Sequence, residues 1–85
     1  MCMARWKKTV AKILAAQNSK SFHSLAFDDF EGAIKGVGYE FHNQEGSHKV
    51  YKKAGWERMV ILPENGKAIP YQVRDFRKEL RKHGY

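Results

Sequence analysis

Between Glu45 and Lys53 the chain runs Glu-Gly-Ser-His-Lys-Val-Tyr-Lys-Lys, which sets one histidine and three lysines within seven residues behind a glycine turn. Imidazole is the side chain that changes charge nearest to neutral pH, and ammonium groups attract phosphate. One short strand therefore offers both a proton carrier and an anion clamp. The combination points to chemistry on a polyanion. A lysine-rich strand also keeps a sheet edge from pairing with another chain, a role that needs no chemistry at all.

RNA suits such a strand because it brings its own nucleophile, the 2′-OH. A protein need only remove that proton, protonate the departing 5′-oxygen and neutralise charge on the phosphorane, leaving a 2′,3′-cyclic phosphate with no metal or cofactor involved. His48 is placed to make one of these proton transfers. Lys49, Lys52, Lys53, Arg58 and Lys67 are candidates for binding phosphate. Ser47 does not pair with His48 as nucleophile and base, because successive strand residues point to opposite faces; the same alternation sets His48 on the side of Val50 and Lys52. If Val50 faces the helices, His48 sits at the rim of the core as a packing residue. Of the other histidines, His42 is the one placed to lie near His48, while His23 falls in a loop and His83 near a helix end, where a cation suits the dipole. Trp56 and Tyr51 are able to stack on a splayed base or to serve as core contacts.

Composition narrows the partner. The chain has 85 residues, room for one domain, and buries about 60 to 65% of the surface its unfolded form exposes. Its formal charge of +7, from 16 Lys and Arg against 9 Asp and Glu, favours an acidic partner such as nucleic acid. No apolar run approaches the roughly 20 residues that span a bilayer, and Met1-Cys2-Met3 lacks the apolar core of a signal peptide. A cytoplasmic location without membrane association is the expectation. The single cysteine cannot form an internal disulfide, and no Cys/His pair has zinc-ligand spacing.

The elements that must position these residues follow from periodicity. Ala4 to Gln17 carries Trp6, Val10, Ile13 and Leu14 at helical spacing, and residues 18–21 form a connector beyond which Phe22 and Leu25 act as anchors. Asp28, with Glu31 three positions on, predicts a capping box opening a second helix with the stripe Phe30, Ile34 and Val37; Gly36 and Gly38 stop it. Asp28 and Asp29 serve the cap and the dipole rather than a paired-carboxylate site. Alternation then gives strands over 39–43, 47–53 and 57–62, the last ended by Pro63. Glu64 to Lys67 is a loop. Pro70 opens a final helix with Val73, Phe76, Arg77 and Leu80 on one face, and Gly84 ends it. Basic residues on the outer parts of the first and last helices are consistent with phosphate contact or with plain solvation.

This order is an α+β sandwich in which helices cover one face of a three-stranded antiparallel sheet. Without the extra N-terminal helix (4–17), the core (27–83) is α-β-β-β-α, the order of double-stranded-RNA-binding domains (dsRBD-like). The run from Phe27 to Lys82 also resembles HicA-type toxins, the small mRNA endonucleases of HicAB toxin–antitoxin modules. Three segments carry the resemblance. They are Asp29-Phe30-Glu31 through Gly38, Gly46-Ser47-His48 opening the middle strand, and Gly66-Lys67 followed by Pro70-Tyr71-Gln72-Val73-Arg74. The Lys8-Thr9-Val10 helix is similar to an N-terminal extension found in some such toxins.

The resemblance implies a type II toxin acting as a metal-independent mRNA endonuclease. His48 would be catalytic and a HicB-like antitoxin would cover the active site, while Ser47 joins Lys49, Lys52, Lys53, Arg58 and Lys67 as the residues expected toward RNA. Many members have a second histidine where this chain has Lys49, and another after the strand-closing proline, where it has Glu64. These departures leave a non-catalytic RNA-binding module as the alternative, with a basic DNA-binding protein behind it.

Overall fold

The helical stripe of the N-terminal segment finds two partners. In the computed structural model, which describes residues 5–16 and 22–85, α1 (Arg5–Ala15) buries Thr9, Val10 and Ile13 against α2 (Phe27–Gly36) and α3 (Pro70–Lys82). The expected ends of α1 at Ala4 and Gln17, and the connector 18–21, lie outside the described residues. Trp6 lies directly on Gly36, where a Cβ would collide with the indole ring. The glycine expected to stop α2 therefore serves a close approach instead, and the chain turns at Val37 and Gly38. Arg5 pairs with Asp29 at 2.8 Å at one end of α1. At the other end Arg77 donates to the Ala16 carbonyl at 2.7 Å and Arg81 to that of Leu14 at 3.3 Å. Guanidinium groups there satisfy carbonyls that the helix leaves free and oppose its dipole.

α2 starts without the expected capping box. Ala26 holds the N-cap position with no side-chain hydrogen bond, so Asp28 and Asp29 sit inside the first turn, where their charge still suits the dipole. The entry is fixed by backbone pairing instead, with Phe27 N–H donating to Gly66 O and Ala68 N–H to Leu25 O. Asn65 and Gly66, at φ 54° and 76°, make the tight turn behind that contact. It is a two-residue reversal of the Asn-Gly type rather than an open loop. Phe22 and Leu25 are buried, as their isolated apolar positions predict.

The sheet is antiparallel in the order β1 (Glu40–Glu45), β2 (His48–Lys52), β3 (Met59–Ile61). Gly46 stands first in the two-residue turn that closes the pair Glu45 and His48, at φ 59°, a conformation glycine adopts without strain. β1 runs two residues further than alternation predicts because the turn takes only Gly46 and Ser47, and its register slips between Phe41 and Asn43, leaving His42 in a bulge. β3 is shorter than expected. Tyr39 lies outside β1 and is buried, its hydroxyl donating to Glu57 O at 2.7 Å.

One sheet face is covered. Tyr51, Met59 and Ile61 join Phe30 and Ile34 of α2 and Val73, Phe76 and Leu80 of α3 in a single core, each fully buried apolar side chain contributing about 1.5–3 kcal/mol. The molecule is thus an α+β fold with three helices and one antiparallel sheet.

The two glycines of α2 offer a controlled test of this packing. Gly32 has open space where a Cβ would stand, so Gly32→Ala should stabilise by about 0.5–1 kcal/mol from helix propensity. Gly36→Ala should instead lose about 1–2 kcal/mol, because displacing the indole outweighs that gain. Urea denaturation of the two variants measures the difference, and equal stabilisation of both would show that Trp6 does not pack there.

Candidate functional site

The two faces of β2 have different fates. Lys49 and Tyr51 point toward α2, where both meet Glu31: the Tyr51 hydroxyl donates to Oε2 at 2.7 Å and Lys49 Nζ at 3.0 Å. His48, Val50 and Lys52 therefore face the other way. Val50 stands apart from the core cluster and floors a hollow on the open face of the sheet. His48 is exposed there, not packed at the core rim.

Two depressions meet at His48. The first, about 370 Å³, lies on the open face and is lined by His42, Asn43, Glu45, Lys52 and Val50. The second, about 480 Å³, runs between β3 and α3 beneath Tyr71, Asp75 and Lys78. His48, Arg58 and Val60 line both, so the imidazole and a guanidinium share the ridge that joins them. Glu45 stands directly opposite His48 in the ladder, a position from which a carboxylate can orient an imidazole. α3 holds the groove's outer wall to the sheet. Gln72 accepts from Leu62 N–H at 3.4 Å and Glu79 from Glu57 N–H at 2.9 Å, at the two ends of the β3 segment.

The cations that the sequence groups together are thereby divided. Lys52 and Arg58 share the hollow with His48, and Ser47 is exposed in the turn beside it. Lys49 is on the covered face, ion-paired to Glu31. Lys53 lies with Nζ 5.3 Å from the Trp56 ring centroid, half-buried. Lys67 borders a separate hollow with His23 and Glu64, which shares no lining residue with the other two. His42, at the bulge, lines the same hollow as His48.

The proposed stacking residues are also engaged: Tyr51 is 1% exposed, and Trp56 stacks on His83 at 4.1 Å between ring centroids. Glu45, Tyr71, Asp75 and Lys78 border the site without having been singled out for it. Glu45 was legible as the residue across a two-residue turn from His48; the others depend on how α3 docks. Among the described residues no three of His, Cys, Asp and Glu come together as a metal-binding group. No described helix is long and apolar enough to cross a membrane.

Glu31 carries the electrostatics of the covered face. Burial raises its pKa, but the Tyr51 hydroxyl and the Lys49 ammonium together outweigh burial and leave it below the ordinary carboxylate range, with Lys35 adding to the effect. The Tyr51 hydroxyl is pushed well above the usual phenol range, first by burial and then by that carboxylate. A carboxylate whose pKa is lower folded than unfolded stabilises fully above its unfolded pKa, and the contribution fades as pH falls through the folded value. Glu31→Gln should therefore cost about 1.5–3 kcal/mol at pH 7 and progressively less as pH falls through the folded pKa, flattening the acid limb of a melting-temperature profile. Part of the limb should remain from Glu79, lowered chiefly by the Glu57 N–H it accepts. An unchanged profile would exclude the clamp.

A comparison of the chain with the profiles of known protein families, with curated proteins and with solved structures gives no match.

Proposed function

We propose that this chain is a metal-independent endoribonuclease of the HicA kind, the toxin of a type II toxin–antitoxin pair, with His48 as general acid or base. The observation that carries the reading is the placement of His48. An exposed imidazole on the bare face of the sheet shares the junction of two grooves with Arg58, and Lys52 stands along the same face. A proton carrier beside a bidentate cation matches what transesterification at phosphorus requires, since one transfers the proton and the other offsets charge on the phosphorane. His42, in the same hollow, is the candidate for the second proton transfer, and Glu45 for orienting the His48 ring.

The resemblance of Gly46-Ser47-His48 and of the α3 entry to HicA-type toxins supports the same assignment. From α2 to α3 the element order α-β-β-β-α is that of a dsRBD-like fold, which agrees with an RNA partner without specifying one. On this reading the substrate is mRNA in the cytoplasm. A HicB-like antitoxin would silence the enzyme by covering His48, and a net charge of +7 favours an acidic covering surface.

The purified chain should cut labelled RNA in the presence of EDTA and leave cyclic-phosphate ends. His48→Ala should lower the rate about 10²- to 10⁴-fold. Because His48 is exposed, its loss should leave the melting temperature in place. RNA left intact, with an affinity that falls steeply with salt, is the result expected of a binding-only module instead. Cleavage that survives the substitution would remove His48 from the chemistry.

A further inference from the structure

We infer that Tyr71 holds an unpaired nucleobase beside the phosphate presented to His48, which makes single-stranded RNA the substrate class. The inference rests on the endoribonuclease reading for the identity of the phosphate, but the surface itself is independent of it. Three large hydrophobic residues are exposed among those described: Phe41, Tyr71 and Tyr85. Phe41 sits edge-to-face against Tyr51 and Tyr85 against Trp56, so each already has an aromatic partner. Tyr71 has none among the described residues, is 53% exposed and lines the groove into which His48 opens. It stands in the first turn of α3, directly after Pro70, on a backbone fixed by the helix. Such a ring is a rigid, amphipathic platform that loses little entropy when a base stacks on it.

The groove is mixed in charge, Arg58 and Lys78 against Glu57, Asp75 and Glu79, and its residues suit different pieces of a nucleotide. Arg58, with His48 on the ridge, suits the phosphate. Asp75, one helical turn beyond Tyr71, would repel a phosphate but accepts from the N–H edge of a base. A volume of about 480 Å³ falls within the range of small-molecule sites, about 300–1,000 Å³. The reaction makes the same demand. Attack by the 2′-oxygen requires that it stand in line with the departing 5′-oxygen, and a regular A-form helix holds it well off that line. The reacting nucleotide must therefore leave the stack, and its base needs a surface to replace the neighbour it has lost. Tyr71 supplies that surface beside the imidazole.

The test reads binding apart from cleavage. Fluorescence anisotropy of a labelled single-stranded oligoribonucleotide would be measured with the His48→Ala protein, with and without Tyr71→Ala or Tyr71→Phe. Tyr71→Ala should raise Kd by about 5- to 150-fold. Tyr71→Phe should stay within about twofold of the parent, since the π-face is kept. The same sequence annealed into a duplex should bind more weakly and ignore the substitution. Equal affinity of Tyr71→Ala and parent, with thermal transitions showing both folded, would overturn the subsite; duplex binding as tight as single-strand binding would overturn the substrate class. Loss of affinity on Tyr71→Ala while the native chain leaves RNA uncut keeps the subsite and rejects the nuclease. Cleavage without Tyr71 dependence does the reverse, and absence of RNA binding by either protein rejects both.

Discussion

The Glu31 carboxylate, 14% exposed and shared by the Tyr51 hydroxyl and the Lys49 ammonium, decides which way the middle strand faces. A slip of one residue in β2 would reverse every side chain on it, withdrawing Tyr51 from the core and turning His48 under the helices. Glu31 opposes that alternative, because the slipped face of His48, Val50 and Lys52 brings it no hydroxyl. Removing either partner leaves a poorly solvated carboxylate short of a donor, which is costly. The core reinforces the choice through Met59 and Ile61, which lie on the same face as Tyr51 in the neighbouring strand. The exposure of His48 is thus a consequence of what its neighbours bury.

The same strand pattern governs how the positive charge is spent. The 16 Lys and Arg overstate the cations available to an anion, since several are committed within the fold. Arg77 and Arg81 meet the end of α1, Arg5 meets Asp29, and Lys49 meets Glu31. What remains around His48 is sparse: Lys52 on the sheet and Arg58 just before β3, with Lys78 across the groove. A few well-placed cations match local recognition of one phosphate better than the broad basic stripe that binds long duplexes through many phosphate contacts.

Much of this was legible in the chain and some was not, for physical reasons. Apolar periodicity located all three helices and the sheet, and β-alternation correctly paired His48 with Val50 and Lys52 on one face. Which face that is could not be read from the strand, because Val50 and Tyr51 are both apolar enough to lie inside; the choice is made by a carboxylate in a different element. Lys49 and Lys53 looked equivalent to Lys52, yet alternation and a nearby indole divert them. Glu31 fits a capping-box pattern, but burial against β2 gives it stronger donors than a backbone N–H at a helix end. Tyr71 was visible behind Pro70 and in the segment that resembles HicA-type toxins, but not as part of a groove. Its place in the groove depends on α3 docking along β3, information held in long-range contacts through Gln72 and Glu79.

On the proposed reading, strand breakage at His48 proceeds through the substrate's own 2′-oxygen. The most direct measurement compares an all-ribose oligonucleotide, whose cleavage position has been mapped, with one carrying a single 2′-deoxy residue on the 5′ side of that position. Cutting of the first and complete protection of the second at that bond is the predicted result. Continued cutting at the deoxy position, or none in the all-ribose strand, would contradict it.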